Sequence, residues 1–231
     1  MSSVPIVPPM QCSAIERKTH ELVRHYYPNA LLGKQPVPVD HFFEIVVPEM
    51  VGVTTSYTRL TALGITNAEG YTNASLRISV VDQELADDFS IRGRRRFRAT
   101  AGHESGHCVL HVPLARWQAS RQIIGQGMKR ERAFLKAFED PEWQAWRFCH
   151  GLCMPAKLVL ALADRFKRRE DVTSALMDIC DVNFSFAEAR LRMLKIIPAS
   201  NGYTDGKKFA RKLKCSGKLA KQLRPTPVTR K

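Results

Sequence analysis

Apolar positions recur along the chain at two spacings, and the change from one to the other divides it into regions. Over 14–27, Ile15, Leu22, Val23 and Tyr26 fall near one face at helical spacing, the pattern of an amphipathic helix. Ser13 stands at its N-cap, Glu16 follows three residues on to complete a capping box, and Pro28-Asn29 ends it. A second short helix is predicted over 39–47, ahead of Pro48. From 50 to 82 the texture changes to β-branched residues, glycines and turn formers. Val51-Gly-Val-Thr-Thr and Leu76-Arg-Ile-Ser-Val-Val read as strands, with turns at Glu69-Gly70 and Thr72-Asn73. This predicts a small antiparallel sheet of about three strands. Helical spacing then returns over 97–111, 128–138, 142–152, 156–166, 172–181 and 186–195, and Pro198 and Gly202 end the packed part.

The expected class is therefore α+β, mostly helical, with the sheet preceding the helix around residue 103. A length of 231 residues suits one domain with extensions, since domains usually run to about 100–200 residues. Residues 1–12, broken by prolines, read as a flexible leader, 13–200 as the folded domain, and 201–231 as a basic tail. Charge supports that last division. The formal net charge is +14, and 201–231 hold ten Lys or Arg against one acid, Asp205. Such a block attracts acidic partners, nucleic acid among them, by a force that salt weakens. The same composition also describes a solvated tail. Phe209, Leu213, Leu219 and Leu223 would give it a short amphipathic face on binding, while Gly206 and Gly217 oppose a stable helix in isolation.

No run approaches the roughly 20 apolar residues of a membrane span. Residues 1–9 have no basic stretch, and prolines break their short apolar run, so no secretory signal is expected. Cys12, Cys108, Cys149, Cys153, Cys180 and Cys215 lack paired spacing and read as reduced thiols. A cytoplasmic location follows as the expectation.

The segment with distinctive chemistry is His103-Glu104-Ser105-Gly106-His107. Helical residues four apart lie about 40° from each other around the axis and one turn along it. Two imidazoles so placed can converge on one Zn²⁺ at about 2.0–2.1 Å. Glu104 is set to take a proton from a water held there. The small and apolar flanks Ala99-Thr-Ala-Gly and Cys108-Val-Leu predict a mostly buried helix, where unpartnered imidazoles would be costly. A catalytic zinc needs a third protein ligand. Leu110 and Pro113 stand where a metzincin would carry glycine and histidine, which excludes that subclass. His111 lies a further turn along and reads as a helix-end group or one that steadies a ligand. An acid from a later segment remains, and Glu131, Glu139, Asp140 and Glu142 are the candidates.

Three blocks in order resemble the ImmA/IrrE family of metallopeptidases. Arg98-Ala-Thr-Ala-Gly-His-Glu-Ser-Gly-His-Cys-Val-Leu-His is similar to that family's Arg-Phe-Thr-x-Ala segment leading into HExGH and Leu-Leu-His. Glu142-Trp-Gln-Ala-Trp-Arg-Phe-Cys-His-Gly-Leu-Cys-Met-Pro resembles its Glu-x-x-Ala-Asn-x-Phe-Ala-Ala-x-Leu-Leu-Met-Pro helix. Phe184-Ser-Phe-Ala-Glu-Ala-Arg-Leu-Arg-Met-Leu resembles its closing Val-Ser-x-x-Ala-x-x-x-Arg-Leu-x-x-Leu, and Pro36 to Val39 its Pro-Val-x-Val segment. The resemblance spans about 13–197. It implies a zincin-like fold, one Zn²⁺ on His103, His107 and Glu142 (with Glu139 next in line for the third place), and Glu104 as base. The chain departs from the pattern at Ala99, Ser105 and Trp146, where the family carries Phe, Leu and Asn. None of these removes a ligand or the base. The implied activity is site-specific cleavage of a regulatory protein such as a separate, DNA-binding helix-turn-helix repressor. An extended substrate would pair with the sheet edge. The competing expectation is a non-proteolytic binding module that keeps the fold and docks a repressor or nucleic acid through basic surfaces.

Arg92, Arg94, Arg95, Arg96 and Arg98 form a second basic cluster, read as a solvated loop or a lure for acidic partners. Cys149 and Cys153 read as buried small hydrophobes, and Trp143, Trp146 and Phe148 as core.

Overall fold

The computed structural model describes residues 3–5, 7–120, 129–131, 136–166 and 168–197. The basic tail over 201–231 and the helix expected in it lie outside these residues. The chain divides into two compact units, Met1–Ile15 with Val37–Cys153, and Glu16–Pro36 with Met154–Lys231. It is mostly helical with a small mixed sheet, within the α+β class. No helix among the described residues is long and apolar enough to cross a membrane.

In the first unit β1 (Ser3–Pro5) pairs antiparallel with β5 (Lys129–Glu131), in the register Val4 to Arg130. The leader thus contributes a strand. The helix expected over 128–138 is absent at 129–131, where the charged run carries no apolar stripe, and only a 3₁₀ turn forms at Ala137–Glu139. Pro141 contributes to this: it biases the residue before it to extended backbone, and Asp140 sits at φ −84°, ψ 118°.

The helix expected over 39–47 runs further, as α3 (Val39–His41), a π turn over Phe42–Val46 and α4 (Val47–Val51). Pro48 does not stop it, because it falls in the first turn after the π turn, where the ordinary ladder is already interrupted. The stop comes at Gly52, whose φ of 68° lets its N–H donate back to the Pro48 carbonyl.

Three strands follow, β2 (Thr54–Thr58), β3 (Gly70–Asn73) and β4 (Ile78–Asp82), in the order β2-β4-β3. β3 and β4 are antiparallel, but β2 and β4 are parallel, so the expected all-antiparallel sheet is mixed. The chain leaves β2 through a 3₁₀ turn at Leu60–Leu63 and reaches β3 on the far side of the centre before returning as β4. Glu69-Gly70 and Thr72-Asn73 are not two turns. Gly70, Thr72 and Asn73 lie on β3, and the turn begins where the Asn73 side chain accepts from the Leu76 N–H.

Asp82 caps α5 (Gln83–Ala86), and α6 (Ile91–Ser120) then runs well past the expected 97–111 in both directions, with Pro113 inside it. Ser90 starts it early by accepting the Gly93 N–H through its hydroxyl. The arginine cluster is thereby helical rather than a loop. α7 (Pro141–Cys153) starts as the sequence reading expects, with proline in the first turn and the Asp140 carboxylate accepting the Glu142 N–H at 3.0 Å. Phe42, Phe43, Val80, Val81, Val109, Phe148 and Leu152 are among the buried side chains of this unit.

Most of α1 (Cys12–Tyr26), with α2 (Pro28–Leu31), α8 (Ala156–Arg165), α9 (Arg169–Cys180) and α10 (Phe184–Met193), makes up the described second unit. Leu158, Leu162, Leu176 and Leu191 are buried there, and so is a charge pair. Arg190 is fully buried and grips both Glu16 oxygens, at 2.5 and 2.8 Å, while its Nε donates to the Met154 carbonyl at 2.9 Å. Glu16 therefore acts as a counter-ion, whereas the sequence pattern assigns it to a capping box.

Candidate metal centre

The site depends on how closely α6 and α7 approach. A Cβ on Gly106 would sit 2.9 Å from the Ala145 carbonyl oxygen and 3.0 Å from its Cα, and one on Gly102 would sit 2.9 Å from the Cys149 sulfur. Glycines four apart on α6 thus face small residues four apart on α7, and the backbones nearly touch. His103 and His107 each follow one of these glycines, so closing the seam brings both imidazoles to the start of α7. Glycine in a helix interior costs about 1 kcal/mol relative to alanine. Two within one turn of the motif were the available signal for a tight crossing.

Across this seam the three residues converge. His103 Nε2 lies 3.1 Å from Glu142 Oε2, His107 Nε2 lies 3.3 Å from Glu142 Oε1, and the two Nε2 atoms are 3.1 Å apart. A tetrahedral ion bound at about 2.0–2.1 Å has ligand atoms about 3.3–3.4 Å apart. The three separations, two of them to different oxygens of the one carboxylate, are within a few tenths of an ångström of that spacing. The hydrogen bond from His103 chiefly holds the Glu142 carboxyl well below the usual carboxylate range. Two ring nitrogens and an ionised carboxylate this close fit a metal cation, and the three form a group able to hold one. The Glu142 side chain is 38% exposed, which leaves the cluster open to water on one side.

Two of the other candidate acids are engaged elsewhere. Asp140 caps α7, Glu139 accepts from the Lys136 N–H at 3.0 Å, and Glu131 lies on β5.

Glu104 stands beside the cluster and outside it. Only 5% exposed, its carboxyl is pushed up by burial, with His107 and the Thr72 hydroxyl opposing that shift. Thr72 donates its single hydroxyl proton to Glu104 Oε2 at 2.5 Å, so Ser79, 2.7 Å from the Thr72 oxygen, donates in turn to Thr72. β3 presses against this carboxylate so closely that a Cβ on Gly70 would lie 2.5 Å from Oε1. The strand that reads in sequence as turns thus seats the candidate base.

Compared with known proteins, the chain matches no family model, and no curated protein matches it significantly. What the centre can do is read from its own geometry.

His111 lies behind His107, its Nδ1 3.1 Å from His107 Nδ1 and its Nε2 3.1 Å from Gln144 Oε1. Burial pushes its imidazole down to about 4. Gln144 is a supporting residue that the sequence pattern did not mark. Trp146 is not core as expected. It is 41% exposed, and its ring lies 4.3 Å from that of His103, covering one side of the cluster. Trp143 carries the Arg147 guanidinium over its ring, while Phe148 is buried as expected. Cys149 and Cys153 are buried, and the Cys149 thiol donates to the Ala99 carbonyl at 3.2 Å. Arg96 pairs with Glu69, and Arg98 is buried.

Gly106→Ala tests the seam. The new methyl meets backbone, which cannot swing aside, and overpacking of this kind costs about 1–3 kcal/mol. A matching fall in thermal stability is expected, together with at least about tenfold weaker zinc binding in competition with a chelating dye, since supporting changes cost about 10–100-fold. Unchanged affinity would show that the seam does not set the reach of Glu142.

Proposed function

We propose that the chain is a zinc-dependent endopeptidase, as the ImmA/IrrE resemblance implies, cutting a regulatory protein such as a helix-turn-helix repressor in the cytoplasm. The observation that carries this reading is the pairing of two ring nitrogens and one carboxylate, 3.1–3.3 Å apart at their contacts, with a separate buried carboxylate beside them. Two imidazoles, one carboxylate and an open side are the ligand set of catalytic rather than structural zinc. Zinc bound there would supply a Lewis acid that polarises a carbonyl and acidifies water.

The protein's own groups supply the rest. Glu104 takes the proton of the attacking water and returns it to the departing amine. Burial suits it to the first of these steps, because desolvation raises its carboxyl and so makes it a stronger base toward the water. Thr72 and Gly70 hold it in place. β3 is an edge strand, so an extended substrate has a backbone to pair with close to Glu104. Trp146 screens His103 from water. The binding-module alternative draws on basic surfaces, of which Arg96 is already paired with Glu69.

The test is zinc content followed by cleavage. Purified protein is expected to hold one zinc per chain and to cut a helix-turn-helix repressor, drawn from a panel, at one site read by mass spectrometry, with the cut lost on chelation. Absence of stoichiometric zinc, or cleavage indifferent to a chelator, would overturn the reading.

A further inference from the structure

We infer that a neutral hydrogen-bond relay from Gln144 through His111 fixes His107 in one tautomer, so that the His107 Nε2 lone pair faces the metal position before any ion arrives. The inference rests on the metal-centre reading and assigns Gln144 and His111 as positioning residues for it.

The relay is read from its far end. Gln144 Nε2 lies 3.0 Å from the Pro8 carbonyl oxygen and 2.9 Å from that of Phe138. Carbonyl oxygens only accept, so the amide NH₂ must face them, and turning the amide over would set oxygen against two oxygens. The Gln144 oxygen therefore faces His111 Nε2 at 3.1 Å and accepts, which places a proton on that nitrogen. His111 is buried with an uncharged amide as its partner there, a setting that favours neutral imidazole. A neutral ring with its proton on Nε2 has its lone pair on Nδ1. That atom lies 3.1 Å from His107 Nδ1, so His107 carries its own proton on Nδ1 and donates it. His107 Nε2 is then left as a lone pair, 3.1 Å from His103 Nε2 and 3.3 Å from Glu142. With His111 neutral, each step follows from the one before, and the first is anchored on two backbone carbonyls.

His103 differs. Its Nδ1 is buried and has no hydrogen-bond partner. Its Nε2 faces two acceptors, the His107 lone pair and Glu142 Oε2, each at 3.1 Å. Without a metal, His103 therefore carries its proton on Nε2, shared between them. A cation must displace that proton, leaving neutral His103 protonated on Nδ1 instead, while His107 needs no change. The two ligands are thus unequal: one is set in advance by the relay and the other rearranges.

Long-range ¹H–¹⁵N correlation on histidine-labelled protein distinguishes protonated from bare ring nitrogens. Expected in the metal-free protein are protons on His107 Nδ1, His111 Nε2 and His103 Nε2. Adding one equivalent of zinc should move only the His103 proton, to Nδ1. A proton on His107 Nε2 or His111 Nδ1 in the metal-free protein would overturn the relay. Gln144→Leu, which removes the anchor, should weaken zinc binding about 10–100-fold in chelator competition, and wild-type affinity in a folded variant would also count against it. The spectra of the wild-type chain decide the point even if that variant fails to fold. Expected tautomers without zinc binding would instead sink the metal-centre reading and leave the relay standing.

Discussion

Replacing Glu104 with glutamine is expected to slow peptide cleavage about 10²–10⁴-fold, the usual contribution of a positioned general base, while zinc content stays at one per chain. Glutamine keeps the shape and an oxygen to accept from Thr72, but it cannot take a proton from water at neutral pH. Because Glu104 stands outside the His103, His107 and Glu142 cluster, the change leaves that cluster intact. Burial of the native carboxylate is itself unfavourable, so the neutral amide leaves stability nearly unchanged. Single-turnover cleavage of a repressor, with metal analysis of the same sample, reads both quantities. Equal cleavage by wild type and variant would remove Glu104 from the chemistry. If neither protein cut, yet both relieved repression equally, the binding-module alternative would stand in place of the enzyme.

Removing the second unit's buried cation is expected to cost about 3–5 kcal/mol of stability, the range for stripping one partner from a buried ion pair. Arg190→Leu takes away both bonds to Glu16 and the bond to the Met154 carbonyl. It leaves a carboxylate that is only 4% exposed without its cation. Urea titration followed by far-ultraviolet circular dichroism measures the loss. The double variant Glu16→Leu/Arg190→Leu should recover much of it, since the stranded charge rather than the missing attraction dominates the cost. A single variant as stable as wild type would show that Glu16 finds other compensation. A double variant no better than the single would place the cost in the Met154 bond or in packing.

The two predictions draw on different layers of information. His103, Glu104 and His107 were legible from spacing alone, because 3.6 residues per turn is a property of any α-helix and needs no knowledge of what packs against it. The start of α7 at Asp140-Pro141 was legible for a similar reason, being set by the cap and the ring of the proline itself. The third member of the cluster was not. Four acids between 131 and 142 satisfied the sequence equally, and the ImmA/IrrE resemblance alone favoured Glu142. The role of Glu16 was hidden too, since its partner Arg190 is 174 residues away.

Local rules of this kind reach about one helical turn or one tight turn, and within that reach the sequence by itself determined the start of α7 and the histidine pair. Tertiary structure decided the rest, because it depended on separations that no local rule encodes. The Gly102–Gly106 seam set how far α6 stands from α7, and hence which acid meets the histidines. The crossing from β2 past the sheet centre set a parallel pair where short turns imply antiparallel ones. The approach of β3 to Glu104 made strand residues of what read as turns, and exposure set Trp146 against His103 rather than in the core. Each of these is a contact between surfaces distant in sequence, and its free energy exists only once both surfaces are in place.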